Sequence, residues 1–339
     1  MAVSRKLERL VDRSVGPRTE ALREELERFV DGSVGPRTEA LRDEVERLAA
    51  TVSQLGETLS ELRSMTAESH DAVSGEVVRL DARITEVRRI ASASLDDIPH
   101  LRQQLLAARR TEAYEEAFSD PEPLITVRIP TYMRGKLLVE RALPSIARQT
   151  YQNFEVIVVG DGCTNDVAER IEDFGDPRVR FVNLPYRYPY PEDREHRWSV
   201  AGAPGVNVGT ELARGTWLAM LGDDDELEPH HLECLLEHAR STRSEMVYGD
   251  LLVRHRLPEA DEILSRYPPE LGWFNFQGAI FMAALRFYEF STRSWLLDEP
   301  SDWNLCRRML ESGVRIGHVD RVVTVCFPSH YWEPETRGL

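Results

Sequence analysis

Apolar residues in the first third of the chain follow a seven-residue repeat. They recur at steps of four and three residues from Leu41 to Leu62, and the pattern resumes from Val77 to Leu105. This spacing puts a narrow apolar stripe on one face of a helix, which is typical of a coiled coil. An extra four-residue step before Val77 is a stutter that locally unwinds a supercoil. We predict a long helix that self-associates; a helix folded back on its own globular domain is the alternative.

Two near-identical segments precede the heptads, and each contains a Gly-Pro pair. Residues 11–23 recur as residues 30–42 with one substitution. Because proline interrupts helical hydrogen bonding, short separate helices are expected there. Basic residues between Arg5 and Arg13 share a helix face. That face is either solvated or in contact with an anionic membrane surface.

The hydrophobic period changes after a proline-rich junction at residues 119–123. We therefore predict a helical, coiled-coil oligomerisation region over residues 1–118 and a second domain over residues 119–339. In the second domain strand patterns alternate with helix patterns, which indicates an α/β fold with a parallel, doubly wound sheet. Predicted strands cover residues 124–129, 154–159, 179–182 and 216–221, and predicted helices cover residues 135–149, 166–174, 206–214 and 301–312.

Composition excludes several classes of protein. A formal net charge of -16 argues against nonspecific binding to nucleic acid, which requires cationic side chains. No apolar run reaches the roughly 18 residues of a membrane span, and charges near Met1 argue against a secretory signal. The four cysteines form no CxxC pair, so we expect free thiols. A cytoplasmic protein is expected.

Three adjacent acids follow the apolar run that starts at Trp217. Asp223, Asp224 and Asp225 come directly after the predicted strand 216–221 and Gly222. Strands of an open α/β sheet present ligand-binding residues at their carboxyl ends. Adjacent carboxylates repel one another unless they are solvated or neutralised by a cation such as Mg²⁺ or Mn²⁺. The segment is therefore either a divalent-cation site or a solvated acidic turn.

Four motifs, in order, resemble glycosyltransferase family 2, whose members are inverting sugar transferases with a GT-A fold. Residues 130–134 (PTYMR) resemble the PTYNR motif, and residues 158–166 (VVGDGCTND) resemble VVDDGSTD. Residues 222–225 resemble the DxD metal motif, and residues 297–303 resemble the late "DE … EDW" motif. The chain departs from the family at Gly160 and Gly222, where aspartates are common.

The resemblance implies roles for particular side chains. We expect Thr131 and Arg134 to bind the nucleotide. The alternative for Arg134 is a surface arginine beside a helix. Asp161 is expected to bind the base or the ribose. The implied ligands of the metal are Asp224 and Asp225, with Asp223 directed at the ribose or supporting the metal.

Later motifs add a base and further contacts. Asp302 is the expected general base, placed in the first turn of a helix that Ser301 caps and Gly313 ends; a purely capping Asp302 is the alternative, and Glu299 is the reserve base. Further residues with implied roles are Arg197 and Asn207 as donor ligands and His330 near the metal or diphosphate; a surface histidine is the alternative reading of His330.

The resemblance thus implies a Mn²⁺- or Mg²⁺-dependent inverting transferase. The expected donor is a UDP-, GDP- or dTDP-sugar. The expected acceptor is a glycan, a lipid-linked molecule or a protein in cell-surface glycan or glycoconjugate synthesis. One alternative is a nucleotidyltransferase, which would release pyrophosphate. Another is an interaction protein that has lost catalysis, for which Gly160 and Gly222 are the best evidence, although the acids Asp161 and Asp302 remain.

Overall fold

The structure, a computed structural model, describes residues 97–255 and 257–327 together with short stretches between residues 47 and 87. Contacts between residues divide the chain into two units, Met1–Ile84 and Thr85–Leu339. Among the described residues, no helix combines the length and the apolar character needed to cross a membrane.

The N-terminal unit is helical over residues 53–58 and 73–85. Its described heptad positions are open to solvent: Leu55, Val77 and Ile84 are 57%, 58% and 50% exposed. The expectation of a helix is confirmed over these stretches, and pairing with a second copy stays a prediction. The repeat at residues 11–42 lies outside the described residues.

The second unit is built on a mixed sheet. Within the described residues the strand order is β3-β2-β1-β4-β8-β6-β9-β5, with β7 paired to β6. The strands are β1 (Ile125–Thr131), β2 (Phe154–Gly160), β3 (Val179–Asn183), β4 (Trp217–Met220), β5 (Glu226–Leu227), β6 (Met246–Val253), β7 (Glu262–Leu264), β8 (Ala279–Met282) and β9 (Ile316–Cys326).

The first four strands confirm the expected parallel arrangement. Strand β1 pairs in parallel with β2 and β4, and β2 pairs in parallel with β3. Beyond β4 the prediction of a parallel sheet is wrong, because β8 is antiparallel to both β4 and β6. Parallel pairing returns between β6 and β9, and β5 closes the edge antiparallel to β9.

Eight helices of the described residues surround this sheet. They are α1 (Ile98–Ala108), α2 (Glu112–Ser119), α3 (Gly135–Leu137, a π-helical turn Leu138–Ala142, and Leu143–Ala147), α4 (Val167–Phe174), α5 (Arg194–Val200), α6 (Ala203–Leu212), α7 (His231–Thr242) and α8 (Ser301–Ser312). Short 3-10 turns cover Pro258–Ala260, Phe276–Gly278, Ala283–Leu285 and Ser294–Leu297. Every residue of β2 is buried, as expected for a parallel strand covered on both faces.

Helices α1 and α2 belong to the sheet domain. Leu105 and Phe118 are part of its core, and the ring of Phe118 meets Trp217 edge-on at 5.9 Å. The Nε of Arg109 donates to Oε1 of the fully buried Glu245 at 2.6 Å. The domain therefore begins before the predicted boundary at residues 118/119, because α1 and α2 bury side chains that a coiled coil would need for itself.

The order of the strands locates a ligand-binding crevice. Strand β1 has β2 on one side and β4 on the other, so the order of the strands reverses at β1. Ligands of open α/β sheets bind where the strand order reverses, at the carboxyl ends of the strands. Thr131 ends β1, Asp161 follows β2 and the acidic segment follows β4, so all three motifs meet at this crevice.

Candidate active site

The ends of β1 and β4 are joined by a hydrogen bond between side chains. Thr131 Oγ1 donates to Asp223 Oδ2 at 2.7 Å. The end of β1 is also joined to the loop after β2, because the Asp161 backbone N–H donates to the Thr131 carbonyl at 2.9 Å. Residues that the sequence placed in three separate motifs are therefore in direct contact.

The acidic segment is buried. Asp223, Asp224 and Asp225 are 6%, 1% and 2% exposed, so the alternative of a solvated acidic turn is wrong. Burial, and secondly the charge of Asp224, raise the pKa of both Asp223 and Asp225. Buried carboxylates require either hydrogen bonds or a positive partner, and the three carboxylates find different ones.

Arg134 is the positive partner of the first two acids. Its Nη1 lies 2.9 Å from Asp224 Oδ2 and 3.3 Å from Asp223 Oδ1. The other oxygen of Asp224, Oδ1, is buried and has no hydrogen-bond partner. Arg134 is therefore not an ordinary surface arginine, and Asp224 presents one buried oxygen whose negative charge is unsatisfied.

Asp225 is instead saturated by hydrogen bonds. Its Oδ1 accepts from the backbone N–H of Phe327 at 2.9 Å, and its Oδ2 accepts from Gln277 Nε2 at 2.7 Å and from Cys326 Sγ at 3.3 Å. These bonds tie the loop after β4 to the end of β9. In this arrangement Asp225 positions the acidic loop, so its expected role as a metal ligand is not supported.

A divalent cation fits this site through Asp224. Among the described residues, no three His, Cys, Asp or Glu side chains are grouped as ligands of one ion. Mg²⁺ and related ions are commonly held by one or two carboxylates together with substrate phosphates and water. The unpartnered Oδ1 of Asp224 is the protein oxygen that would hold such an ion, with Asp223 beside it.

The loop after β2 forms a second wall. Asp161 is 7% exposed and its Oδ1 accepts from the Tyr188 backbone N–H at 2.8 Å. Gly162 has φ +68°, and a Cβ there would lie 2.4 Å from the backbone N of Arg187. Only glycine permits this close approach, so Asp161 is fixed between β1 and the 186–190 segment.

Helix α8 places Asp302 in its first turn. The helix begins at Ser301 with Pro300 as N-cap and no side-chain cap, so the prediction that Ser301 caps the helix is wrong. The predicted end is confirmed, because Gly313 adopts φ +93° directly after the helix. Pro300 has no side-chain group that could cap the helix. Asp302 is the one acid in the first turn, where its negative charge interacts favourably with the helix dipole.

The carboxylate of Asp302 is held by the backbone at the start of α8. Its Oδ1 accepts from the Trp303 backbone N–H at 2.7 Å, and burial raises its pKa. Burial, and secondly the charge of Asp225, raise the pKa of the Cys326 thiol, with smaller contributions from Asp224 and Asp302. A raised pKa moves a carboxylate toward the range in which a general base works best.

The reserve base is engaged elsewhere. Both oxygens of Glu299 accept from the guanidinium of Arg307, at 2.7 and 2.8 Å, and Oε2 also accepts from Asn304 at 2.7 Å. Glu299 is thus already occupied by a bidentate arginine and an amide. Of the two candidates, Asp302 is better suited to act as base.

The structure gives Arg197 and Asn207 contacts within the protein. Arg197 donates to the carbonyls of Pro191 and Glu192, at 3.2 and 2.7 Å. The Asn207 amide exchanges two 2.9 Å hydrogen bonds with the backbone of Phe290. These bonds fix loops, so a donor-binding role stays a prediction without support here. His330 lies outside the described residues.

Gln277 is a site residue that the sequence did not indicate. Its amide nitrogen donates to Asp225, and its amide oxygen accepts from the backbone N–H of Gly222. It therefore holds both ends of the acidic loop. Gln277 is 52 residues beyond Asp225 in the sequence, in no recognised motif, so no local signal could have found it.

Arg141 is a second residue of this kind. Its Nη1 donates to the backbone carbonyl of Asp224 at 2.7 Å, and its guanidinium lies 3.9 Å from the ring centroid of Phe327. Arg141 lies in the π-helical turn of α3, and such turns are frequent at functional sites. The helical pattern of residues 135–149 gave no indication of that turn.

Comparison with known proteins agrees with this geometry. The model of the family "Glycosyl transferase family 2" matches residues 126–294. The chain contains a glycosyl transferase family 2 domain. The match includes β1, β2, β4 and the acidic segment, and it ends just before the helix that carries Asp302.

Individual relatives cover the same transferase domain. "Glycosyltransferase GlyG" of Streptococcus pneumoniae is 32% identical over 129 residues, which are 38% of each chain. "Putative colanic acid biosynthesis glycosyl transferase WcaA" of Escherichia coli is 28% identical over 43% of this chain and 49% of its own length. The chain thus spans less than half the length of these curated relatives.

A solved structure is also similar to the transferase domain. The Staphylococcus aureus TarS fragment 1–349 in complex with UDP aligns with a TM-score of 0.48 and 16% identity, over 61% of this chain and 62% of that one. This similarity is too low to support an argument about function. The family assignment rests on the match to residues 126–294 and on the arrangement of the motifs.

Proposed function

We propose that this protein transfers a sugar from a nucleoside-diphosphate sugar to an acceptor hydroxyl with inversion at the anomeric carbon. The observation that carries the proposal is the meeting of Thr131, Asp161, Asp223 and Asp224 at the carboxyl ends of β1, β2 and β4, inside a glycosyl transferase family 2 domain. Relatives named as chondroitin and hyaluronan synthases support a carbohydrate as the acceptor.

The chain's own residues divide the chemistry between them. Asp302 accepts the proton of the acceptor hydroxyl while that oxygen forms a bond to the anomeric carbon. The bond from this carbon to the diphosphate breaks on the opposite face, and the nucleoside diphosphate leaves with the bonding electrons. Asp224 would hold a divalent ion, which would supply neutralising charge for that leaving group, and Arg134 supplies a second positive charge.

Asp161 is suited to bind the nucleoside. It is held at the crevice by the Tyr188 backbone, and one oxygen of a carboxylate can accept from a ribose hydroxyl while the other is held. A nucleotidyltransferase would need room for a triphosphate beside the acids. The family match favours sugar transfer over that alternative. The retained buried acids Asp223 and Asp224 argue against a decayed, non-catalytic domain.

The proposal is tested by binding and by turnover. UDP-, GDP-, dTDP- and CMP-sugars are added with Mn²⁺ in a thermal-shift screen, because a ligand that binds the folded state raises the apparent melting temperature. The identified donor is then titrated with and without EDTA into the parent and into Asp224→Asn. We expect EDTA and Asp224→Asn each to weaken donor binding. Equal affinity in all four experiments would contradict the metal assignment.

We also propose that the N-terminal unit makes the protein an elongated homo-oligomer. The exposed heptad positions Val77, Leu80 and Ile84 lie within the helical residues 73–85 and support this proposal. A single helix leaves such a stripe in water, and association buries it. Light scattering of the full chain and of a chain starting at Asp97 tests it. An oligomer that persists without residues 1–96, or a monomeric full chain, would contradict it.

A further inference from the structure

Arg134 is directed at the acidic pair by its own loop. The preceding residue, Met133, adopts φ +62°, a conformation that non-glycine residues rarely take. Two contacts hold it there: Asn165 Nδ2 donates to the Met133 carbonyl at 3.0 Å, and the Thr164 backbone N–H donates to Met133 Sδ at 3.4 Å. The turn delivers the Arg134 guanidinium to Asp223 and Asp224, where its side chain is 19% exposed.

The contact between Arg134 and the acids is asymmetric. The guanidinium reaches Asp224 through Oδ2, at 2.9 Å, while the buried Oδ1 of the same carboxylate has no partner. One positive charge therefore serves two buried carboxylates, and it cannot neutralise both of them when both are ionised. A divalent cation at Oδ1 and the guanidinium at Oδ2 would both be attracted to the one negative charge of Asp224. Because both are positive, they would repel each other.

We propose that Arg134 is the resident counter-ion of the Asp223–Asp224 pair, and that it exchanges this role for a diphosphate contact when a divalent ion binds Asp224. The inference rests on the proposed function and adds the order of events at that site. Arg134 lowers the affinity for the ion alone. When a nucleoside diphosphate is present, its phosphates accept hydrogen bonds from the guanidinium. The negative phosphates then lie between the two positive charges and attract both the ion and Arg134.

The consequence is reciprocal coupling. If the diphosphate removes Arg134 from Asp224, it raises the affinity for the ion, and by linkage the ion raises the affinity for the diphosphate by the same factor. Couplings between two ligands typically amount to about 5- to 150-fold. A guanidinium fits both roles because its planar fork pairs with carboxylate and with phosphate in the same geometry.

The first part of the test measures the affinity for Mn²⁺ without nucleotide, by isothermal titration calorimetry on the full chain. Arg134→Gln removes the charge, Arg134→Lys keeps it, and Arg180→Gln is the matched control. Arg180 is exposed in β3, and its Nη2 donates to the carbonyl of Leu212 at 3.0 Å, away from the acids. We expect Arg134→Gln to bind Mn²⁺ about tenfold more tightly than the parent, and Arg134→Lys and Arg180→Gln to stay within about threefold of it.

The second part of the test repeats the Mn²⁺ titration with UDP, GDP or dTDP present, whichever binds. The parent should show mutual enhancement of Mn²⁺ and nucleotide, and Arg134→Gln should lose most of it. Unchanged or weaker Mn²⁺ binding by Arg134→Gln overturns the inference, and so does undiminished coupling. Melting temperatures in EDTA and in Mn²⁺ control for folding: Arg134→Gln should melt lower in EDTA and regain more from Mn²⁺ than the parent.

The two parts also separate this inference from the proposed function. If none of these nucleotides binds the parent, the proposed function fails, while the Mn²⁺ titration still reports whether Arg134 competes for Asp224. If nucleotides bind but Arg134→Gln shows no gain in Mn²⁺ affinity, the exchange is refuted and the proposed function stands.

Discussion

Two adjacent leucines in α1 should respond very differently to truncation. Leu105 is 1% exposed and belongs to the core of the transferase domain, whereas Leu106 is 49% exposed. Leu105→Ala removes a buried isobutyl group, which typically costs about 2–5 kcal/mol of unfolding free energy. Leu106→Ala is a surface change, expected within about 0.5–1 kcal/mol. Both replacements leave helix propensity almost unchanged, so the difference between them measures packing alone.

The pair distinguishes two roles for the end of the heptad pattern. As the last seam residue of a coiled coil, Leu105 would face another chain, and its loss would weaken association. In the structure Leu105 packs in the core of the transferase domain. One turn later, at the end of the same helix, Arg109 forms a 2.6 Å ion pair with Glu245 of that domain. Loss of the Leu105 side chain should therefore destabilise that domain even in a chain that starts at Asp97.

Urea unfolding of the chain from Asp97 is a suitable assay. Tryptophan fluorescence follows the unfolding, and one of the six tryptophans, Trp217, is buried against Phe118 of α2. With a urea m-value of about 2–3 kcal/mol/M, Leu105→Ala should lower the midpoint by about 1–2 M. Leu106→Ala should change it by less than about 0.5 M. Equal midpoints for the two variants would refute the assignment of α1 to the transferase domain.

Three further predictions concern the site. Asp302→Asn should lower turnover by about 10²–10⁴-fold with donor affinity within a few-fold of the parent; near-parent turnover would place the base elsewhere. Asn207→Ala should cost about 2–4 kcal/mol in urea unfolding, because it leaves both backbone groups of the buried Phe290 unpaired; a loss of donor affinity at unchanged stability would instead favour donor binding. The folded-state pKa values of Asp223 and Asp225 lie above their unfolded values, so the metal-free protein should lose stability as pH rises from about 6 to about 8. Because Mn²⁺ binds the ionised carboxylates, the rise in melting temperature that it causes should grow over the same range. A Mn²⁺ effect that is larger at the lower pH would contradict this sign.

Local patterns predicted the parallel half of the sheet well. Strands β1, β2, β3 and β4 appear within two residues of their predicted bounds. For β1, β2 and β4 the reason is that buried parallel strands are largely continuous apolar runs between helices. Helix α6 begins three residues earlier than predicted. Its start at Ala203-Pro204 follows from the fixed φ of proline at a first turn.

Sequence patterns did not predict the half of the sheet beyond β4. Its strands β5, β7 and β8 have two to four residues each, too few to show a period, and 3-10 turns separate several of them. Antiparallel β8 joins residues about 60 positions apart when it pairs Trp217–Ala219 of β4 with Ile280–Met282, and such a long-range pairing leaves no local signal in the sequence. The hydrogen-bond partners of Asp225 come from this half, so the sequence did not indicate that Asp225 is tied to the end of β9.

The two departures from the family motifs have a common physical explanation. At Gly160 a Cβ would lie 2.5 Å from Asn183 Oδ1, and at Gly222 a Cβ would lie 3.0 Å from Gln277 Oε1. Each amide is held in place by backbone: Asn183 exchanges bonds with Cys163, at 2.9 and 2.8 Å, and Gln277 accepts from Gly222 itself.

Where relatives of the family carry an aspartate, this chain therefore has a glycine with an amide from another segment beside it. A neutral amide brings hydrogen-bonding groups without adding a carboxylate to an already buried acidic cluster. At Gly222 that matters most, because a fourth acid beside Asp224 and Asp225 would raise the cost of burying the loop. The absence of these aspartates is thus a rearrangement of the site's polar groups, and it leaves Asp161, Asp223, Asp224 and Arg134 as the charges that the proposed donor site would use.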